Sequence, residues 1–140
     1  MPTPVLFKRI SNLLTNVCLS TLERVGIVTS RTALNLSPSE AEDYILGYTC
    51  GNDLSCRLHQ MPDQAGGRFY FAKAFDKFAS MGPVLVSSEI WGKGNGVKLV
   101  TRVNGEVRQD IEVEKDMIFR MADVSSRMSQ GVHSFSFGLH

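Results

Sequence analysis

The chain has 140 residues, 43% hydrophobic and 21% charged, which suits one domain, or part of one, with enough apolar mass for a core. Lys+Arg 15 against Asp+Glu 14 leaves a net charge of +1, with no basic stripe, and this excludes nucleic acid as a partner. No apolar run approaches the roughly 20 residues that span a bilayer, which excludes a membrane span.

Residues 1–22 carry Lys8 and Arg9 but no acid before Glu23, a composition faintly similar to an organelle transit peptide. Pro2 and Pro4 interrupt the helix such a peptide needs. Cys18, Cys50 and Cys56 are odd in number and widely spaced, which points to reduced thiols and a cytoplasmic setting rather than disulfides or a zinc site.

Residues 25–28 are β-branched and apolar apart from Gly26 and predict a short strand. Ser37-Pro38-Ser39-Glu40 is a capping box with Pro at the first helical position, opening a short acidic helix to about Tyr44. Residues 45–49 predict a second strand, closed by Gly51-Asn52. Residues 53–60 are polar and compact, which favours a helical turn or structured loop. Residues 64–68, with Gly66-Gly67, predict a loop. Val84-Leu85-Val86, after Gly82-Pro83, predict a fully buried strand, and residues 92–96 a glycine-rich loop around Lys93 and Asn95.

The clearest local signal runs from Val97 to Gln109. Val97, Leu99, Thr101 and Val103 alternate with mostly polar residues, and Asn104-Gly105 fits a type I′ turn, so a hairpin is expected. Met117, Ile118, Met121, Val124, Ser125 and Met128 have helical spacing, with Asp116 as N-cap and Gly131 as the stop. Residues 132–140 alternate apolar and polar but are rich in Ser. Several short strands with two helices indicate a mixed α+β fold with a β-rich core.

Gly47-Tyr48-Thr49-Cys50-Gly51-Asn52-Asp53-Leu54-Ser55-Cys56-Arg57-Leu58-His59-Gln60 resembles the G-Y-x-x-x-N-D-x-S-x-R-x-x-Q signature of the fumarylacetoacetate hydrolase family. Ala72-Lys73-Ala74-Phe75-Asp76 with Met81-Gly82-Pro83-Val84-Leu85-Val86 resembles its G-K-x-F-D…G-P-x-x-V block. Val103-Asn104-Gly105-Glu106-Val107-Arg108-Gln109-Asp110 resembles its V-N-G-E-x-x-Q-D hairpin. The resemblance, best over residues 25–131, implies an α+β mixed β-roll or β-sandwich like the family's C-terminal domain. The 1–140 chain would be a single partial domain, incomplete at both ends.

It also implies a Mg²⁺- or Mn²⁺-dependent hydrolase or decarboxylase of small oxo-acids, cleaving a C–C bond beside a carbonyl, in small-molecule or secondary metabolism. The expected assembly is a homodimer or a pairing with an intact homologue. The cation would grip substrate oxygens and stabilise an enolate. By the same resemblance Asp53 is a metal ligand, Arg57 and Gln60 bind substrate, and Lys73 is the catalytic lysine that stabilises the developing oxyanion. Taken singly, Asp53 would be a turn residue, and Arg57 and Lys73 surface charges; their joint spacing favours the site. A helical turn would place Arg57 near Asp53. His59 fits a structural part better than that of a base.

Two further carboxylates of the family's metal site form an E-x-E, and the corresponding positions here are Leu22 and Arg24. Glu23 between them points to the opposite strand face. The family's water-activating His and Glu upstream and its Gly-Thr-Pro-type loop downstream have no counterpart. The alternative function is therefore a catalytically inactive remnant, or a scaffold or binding subunit.

Overall fold

A computed structural model describes residues 19–20, 23–65 and 68–133. In chain order the strands begin with β1 (Leu19–Ser20) and β2 (Glu23–Thr29), before helix α1 (Pro38–Ala41). They continue with β3 (Ile45–Asn52) and β4 (Ser55–Cys56), then helix α2 (Pro62–Ala65). Next come β5 (Ser80–Met81), β6 (Val86–Ser87), helix α3 (Ser88–Trp91) and the strands β7 (Lys98–Val103) and β8 (Glu106–Glu112). Helices α4 (Val113–Asp116) and α5 (Met121–Met128) follow. Short strands in small sheets, with equally short helices, give the mixed α+β class expected. The residues divide into two compact units.

One unit holds the described residues up to Arg24, with Cys50–Pro83 and Leu99–Asp110. Here β1 pairs antiparallel with β4, Leu19 opposite Cys56. The end of β3 pairs with β5, Gly51 opposite Met81. The expected hairpin is present: Asn104 (φ 53°) and Gly105 (φ 88°) both take the left-handed conformation that a type I′ turn demands. Leu99 and Thr101 are its buried positions, and Thr101 Oγ1 donates to Gln109 Oε1 at 2.8 Å across the ladder.

Residues 53–60 differ from a single helical turn. Ser55 and Cys56 are drawn into strand pairing, so a 3₁₀ turn starts only at Arg57 and runs Arg57–Gln60. The four-residue helical offset between Asp53 and Arg57 therefore does not exist. Gln64 and Ala65 lie in α2 rather than a loop, and Gly66-Gly67 lie outside the described residues.

The other unit holds Val25–Thr49, Val84–Lys98 and the described residues after Asp110. Its capping box forms as read: Ser37 accepts from the Glu40 N–H, and the Glu40 carboxylate accepts from the Ser37 N–H at 2.9 Å. After one turn, α1 tightens into a 3₁₀ turn over Glu42–Tyr44. Ala33, Leu36 and Ala41 make its apolar core, with Tyr44 against them. The α5 hydroxyl of Ser126 donates to the Leu36 carbonyl at 2.7 Å, and Leu36 N–H donates to Ser129 Oγ at 3.0 Å. Ser126 in α5 and Ser129 just past its end thus satisfy the buried backbone groups of Leu36.

Two expectations in this unit are corrected. Val84 and Leu85 are 56% and 45% exposed rather than buried, and pairing with β3 starts only at Val86, opposite Tyr48. Pro83 has no N–H to give a ladder, so the chain joins the sheet late. The helix expected from Asp116 starts at Met121 instead. Asp116 ends α4, where its carboxylate accepts from the Glu112 N–H at 2.7 Å. Satisfying that upstream N–H uses the side chain that would have capped a following helix. The tail beyond residue 133, Cys18 and Leu22 lie outside the described residues.

Candidate functional site

Arg24, Asp53, Arg57, Gln60 and Lys73 all belong to the first unit. Asp53 follows the last residue of β3, which lies beside β2. A Cβ on Gly51 would sit 4.0 Å from Arg24 Cβ, so the Arg24 side chain leaves β2 next to the end of β3. Its Nη2 reaches Asp53 Oδ2 at 3.3 Å. Lys73 closes the 3₁₀ turn Phe71–Lys73, whose Ala72 is fully buried and fixes the turn while Lys73 faces outward. The Lys73 ammonium donates to Asp53 Oδ1. One carboxylate is thus clasped by two cations, one on each oxygen.

Burial alone pushes the Asp53 carboxyl up. The hydrogen bond and charge of Lys73, joined by the charge and hydrogen bond of Arg24, outweigh it and hold the group below the usual carboxylate range. Asp53 is therefore ionised, and its side chain remains 26% exposed, open to solutes.

Arg57 Nη1 donates to Gln60 Oε1 at 2.7 Å, so the two residues assigned to substrate contact are locked to each other across one 3₁₀ turn. His59, in the same turn, packs edge-on to Phe71 (4.9 Å between ring centroids) and over Phe75 (5.9 Å). Phe71 also meets Phe75 at 5.2 Å. This cluster joins the Arg57–Gln60 turn to the Phe71–Lys73 turn and so sets the spacing of Lys73 from Arg57. Its signal in the sequence is the run Phe69-Tyr70-Phe71, followed by Phe75 and Phe78. His59 is a packing residue here.

Glu23 and Arg24 are neighbours on β2 and point to opposite faces. The Glu23 charge is felt by Cys50, whose thiol is pushed up first by burial and then by that carboxylate, whereas Arg24 reaches Asp53. Cys50 and Cys56 are free thiols.

Mg²⁺ or Mn²⁺ does not fit this donor set. Mg²⁺ sheds its water reluctantly and needs several hard oxygens, while Asp53 is a lone carboxylate already neutralised by an ammonium and a guanidinium. Among the described residues no group of three or more His, Cys, Asp or Glu could hold a metal ion. Of the two positions that the resemblance matches to the family's E-x-E, Leu22 has no donor side chain and Arg24 is a cation.

The second unit has a concavity of its own. Tyr48 and Trp91 stack at 4.4 Å beside a groove of about 520 Å³ lined also by Val113, Met117, Phe119 and Met121. Burial, and secondarily the Glu42 charge, pushes the Tyr48 hydroxyl up, so it stays protonated. No local sequence pattern marks this groove, because Tyr48 and Trp91 are far apart in the chain.

Comparison with known proteins places this arrangement. The chain is 32% identical over 108 residues to the oxaloacetate tautomerase YisK of Bacillus subtilis, a match covering 77% of this chain and 35% of that protein. It is 29% identical over 108 residues to the mitochondrial oxaloacetate tautomerase Fahd2a of Rattus norvegicus, covering 77% and 34%. The chain thus spans about a third of the length of these curated relatives. Among solved structures, a 5-carboxymethyl-2-hydroxymuconate delta-isomerase from Mycobacterium smegmatis superposes with TM-score 0.75 at 28% identity, over 88% of this chain and 46% of that one. A fumarylpyruvate hydrolase from Pseudomonas aeruginosa, in complex with Mn²⁺ and pyruvate, superposes with TM-score 0.75 over 89% of this chain and 53% of that one. Its 21% identity speaks to the fold alone. The sequence profile described as fumarylacetoacetate (FAA) hydrolase C-terminal matches residues 23–138, and the chain belongs to that family.

Proposed function

We propose that this chain binds a small oxo-acid at Lys73, Arg57 and Gln60, with Asp53 as the counter-ion that holds the cations in place, as a binding domain or subunit of the fumarylacetoacetate hydrolase family. The observation that carries the reading is the Lys73–Asp53–Arg24 clasp. Two cations against one carboxylate leave one net positive charge, which suits an anionic ligand. The Arg57 guanidinium lies in the same unit and offers the planar, forked donors that match a carboxylate.

In this reading Lys73 faces the carbonyl oxygen, where its ammonium favours the enolate form, as preorganised cations do. The names of the two relatives, oxaloacetate tautomerases, make oxaloacetate the first ligand to try. Metal-dependent hydrolysis or decarboxylation is the less favoured reading, because one carboxylate between two cations is a poor Mg²⁺ or Mn²⁺ ligand set. A homodimer, or pairing with an intact homologue, is the assembly proposed.

Isothermal titration of the chain with oxaloacetate tests the reading. Binding in the millimolar range or tighter is expected, weakened about tenfold in Lys73→Met, the cost of one charge-assisted hydrogen bond. Absence of any heat at millimolar oxaloacetate would defeat it.

A further inference from the structure

We infer that Arg24 takes the place of the divalent cation, so that this site captures a small carboxylate without metal. The inference rests on the oxo-acid reading above and adds to it the agent of capture. Three observations converge on it. The Arg24 guanidinium, at a position that only the family resemblance matches to a metal-ligating carboxylate, is hydrogen-bonded to Asp53 Oδ2 at 3.3 Å. Lys73 holds the other oxygen of the same carboxylate, so both oxygens already carry a cationic partner. Glu23, the nearest acid in sequence, is the neighbour of Arg24 on β2 and so lies on the opposite strand face.

The chemistry of the exchange is direct. A divalent ion organises an oxo-acid by drawing its carboxylate and carbonyl oxygens toward positive charge. A guanidinium does the same for a carboxylate through a fork of N–H donors, and its positive charge persists at every physiological pH. Asp53 changes its role accordingly: it stops being a ligand and becomes the counter-ion that aims Arg24 and Lys73. Arg24 keeps 58% of its side-chain surface exposed and Lys73 41%, so each has donors left over for a ligand. A metal arriving at Asp53 would have to displace both cations and would then sit beside them, with one carboxylate to hold it.

Oxalate is a suitable probe, since it mimics the planar enolate of a small oxo-acid and cannot react. The 140-residue chain is titrated with oxalate in EDTA and again with Mn²⁺ present, and with Mn²⁺ alone. The expected result is the same oxalate affinity in both buffers and no micromolar Mn²⁺ binding. Arg24→Gln should weaken oxalate about tenfold, while Arg24→Lys, which keeps the charge, should retain most of it. Arg24→Glu should raise Mn²⁺ affinity at least about tenfold by adding a second carboxylate. Circular dichroism of each variant separates loss of binding from loss of fold. Oxalate binding that requires Mn²⁺, or micromolar Mn²⁺ affinity in the unaltered chain, overturns the inference and leaves the oxo-acid reading standing. Failure to bind oxalate in either buffer overturns both.

Discussion

Two carboxylates on this chain respond to pH in opposite senses. Glu40 is held below its ordinary value of 4.5, first by the Ser37 hydroxyl and then by the Ser37 N–H. Its contribution to stability is therefore present above that value and fades as the pH falls through the lower folded one. Glu23 is pushed above 4.5 by burial, so its ionisation opposes folding, and stability drains as the pH rises through that window. Thermal unfolding from mildly acidic to neutral pH should show Glu40→Gln losing stability and Glu23→Gln gaining it, with both differences shrinking in acid. Equal melting temperatures of Glu23→Gln and the parent chain at neutral pH would mean that the carboxylate is better solvated than its place on β2 indicates. The same alternation that half-buries Glu23 presents Arg24 to Asp53, so one residue's position on a strand separates a structural acid from a site cation.

Among the elements, β3 shows how a sequence signature encodes packing as well as chemistry. Gly47 opens the signature, and a Cβ there would meet the Val86 carbonyl oxygen at 2.4 Å and Leu85 Cδ1 at 3.2 Å. That carbonyl belongs to backbone paired with β3, Gly47 opposite Ser87, and it has no room to withdraw without opening the ladder. Gly47→Ala should cost about 2 kcal/mol of stability, within the range of overpacked sites, measured by urea unfolding with the slope unchanged. A neutral substitution would show that β6 pairs more loosely than the register indicates. Elsewhere on the same strand, Asn52 is buried at the point where β3 ends, and Asp53 beyond it is released toward the cations. The order glycine, strand, acid is thus a mechanical arrangement: close packing at one end of β3 and a charged group just past the other.

At the scale of the molecule, each unit leaves large apolar side chains in water. Phe69 and Tyr70 are 61% and 87% exposed in one, and Ile118 and Phe119 90% and 64% in the other. Contiguous apolar exposure of this kind marks surfaces that bind other chains. The chain is therefore expected to self-associate, running as a dimer or larger in size-exclusion chromatography with light scattering. Ile118→Glu with Phe119→Glu should shift the profile toward monomer. A monomeric parent chain at micromolar concentration would set that expectation aside. No helix among the described residues is long and apolar enough to cross a membrane.

The features legible in the sequence are those whose physics is local. The Ser37–Glu40 capping box closes within three residues, and the Asn104-Gly105 turn needs only two left-handed positions, so both could be read from adjacent letters. Asp53, Arg57, Gln60 and Lys73 were marked by the resemblance of the blocks around them to the family's signature. The false readings arose where a distant partner outbid a local preference: Ser55-Cys56 joined β1, Asp116 turned back to Glu112, and Val84-Leu85 stayed outside the ladder. Asp53 is decided in the same way. Its partners lie 20 and 29 residues away in sequence, and no periodicity links such separations. Sequence alone named the acid and the two cations; only the tertiary structure, by laying β2 beside β3 and packing the Lys73 turn against β4, decided that both cations meet on one carboxylate.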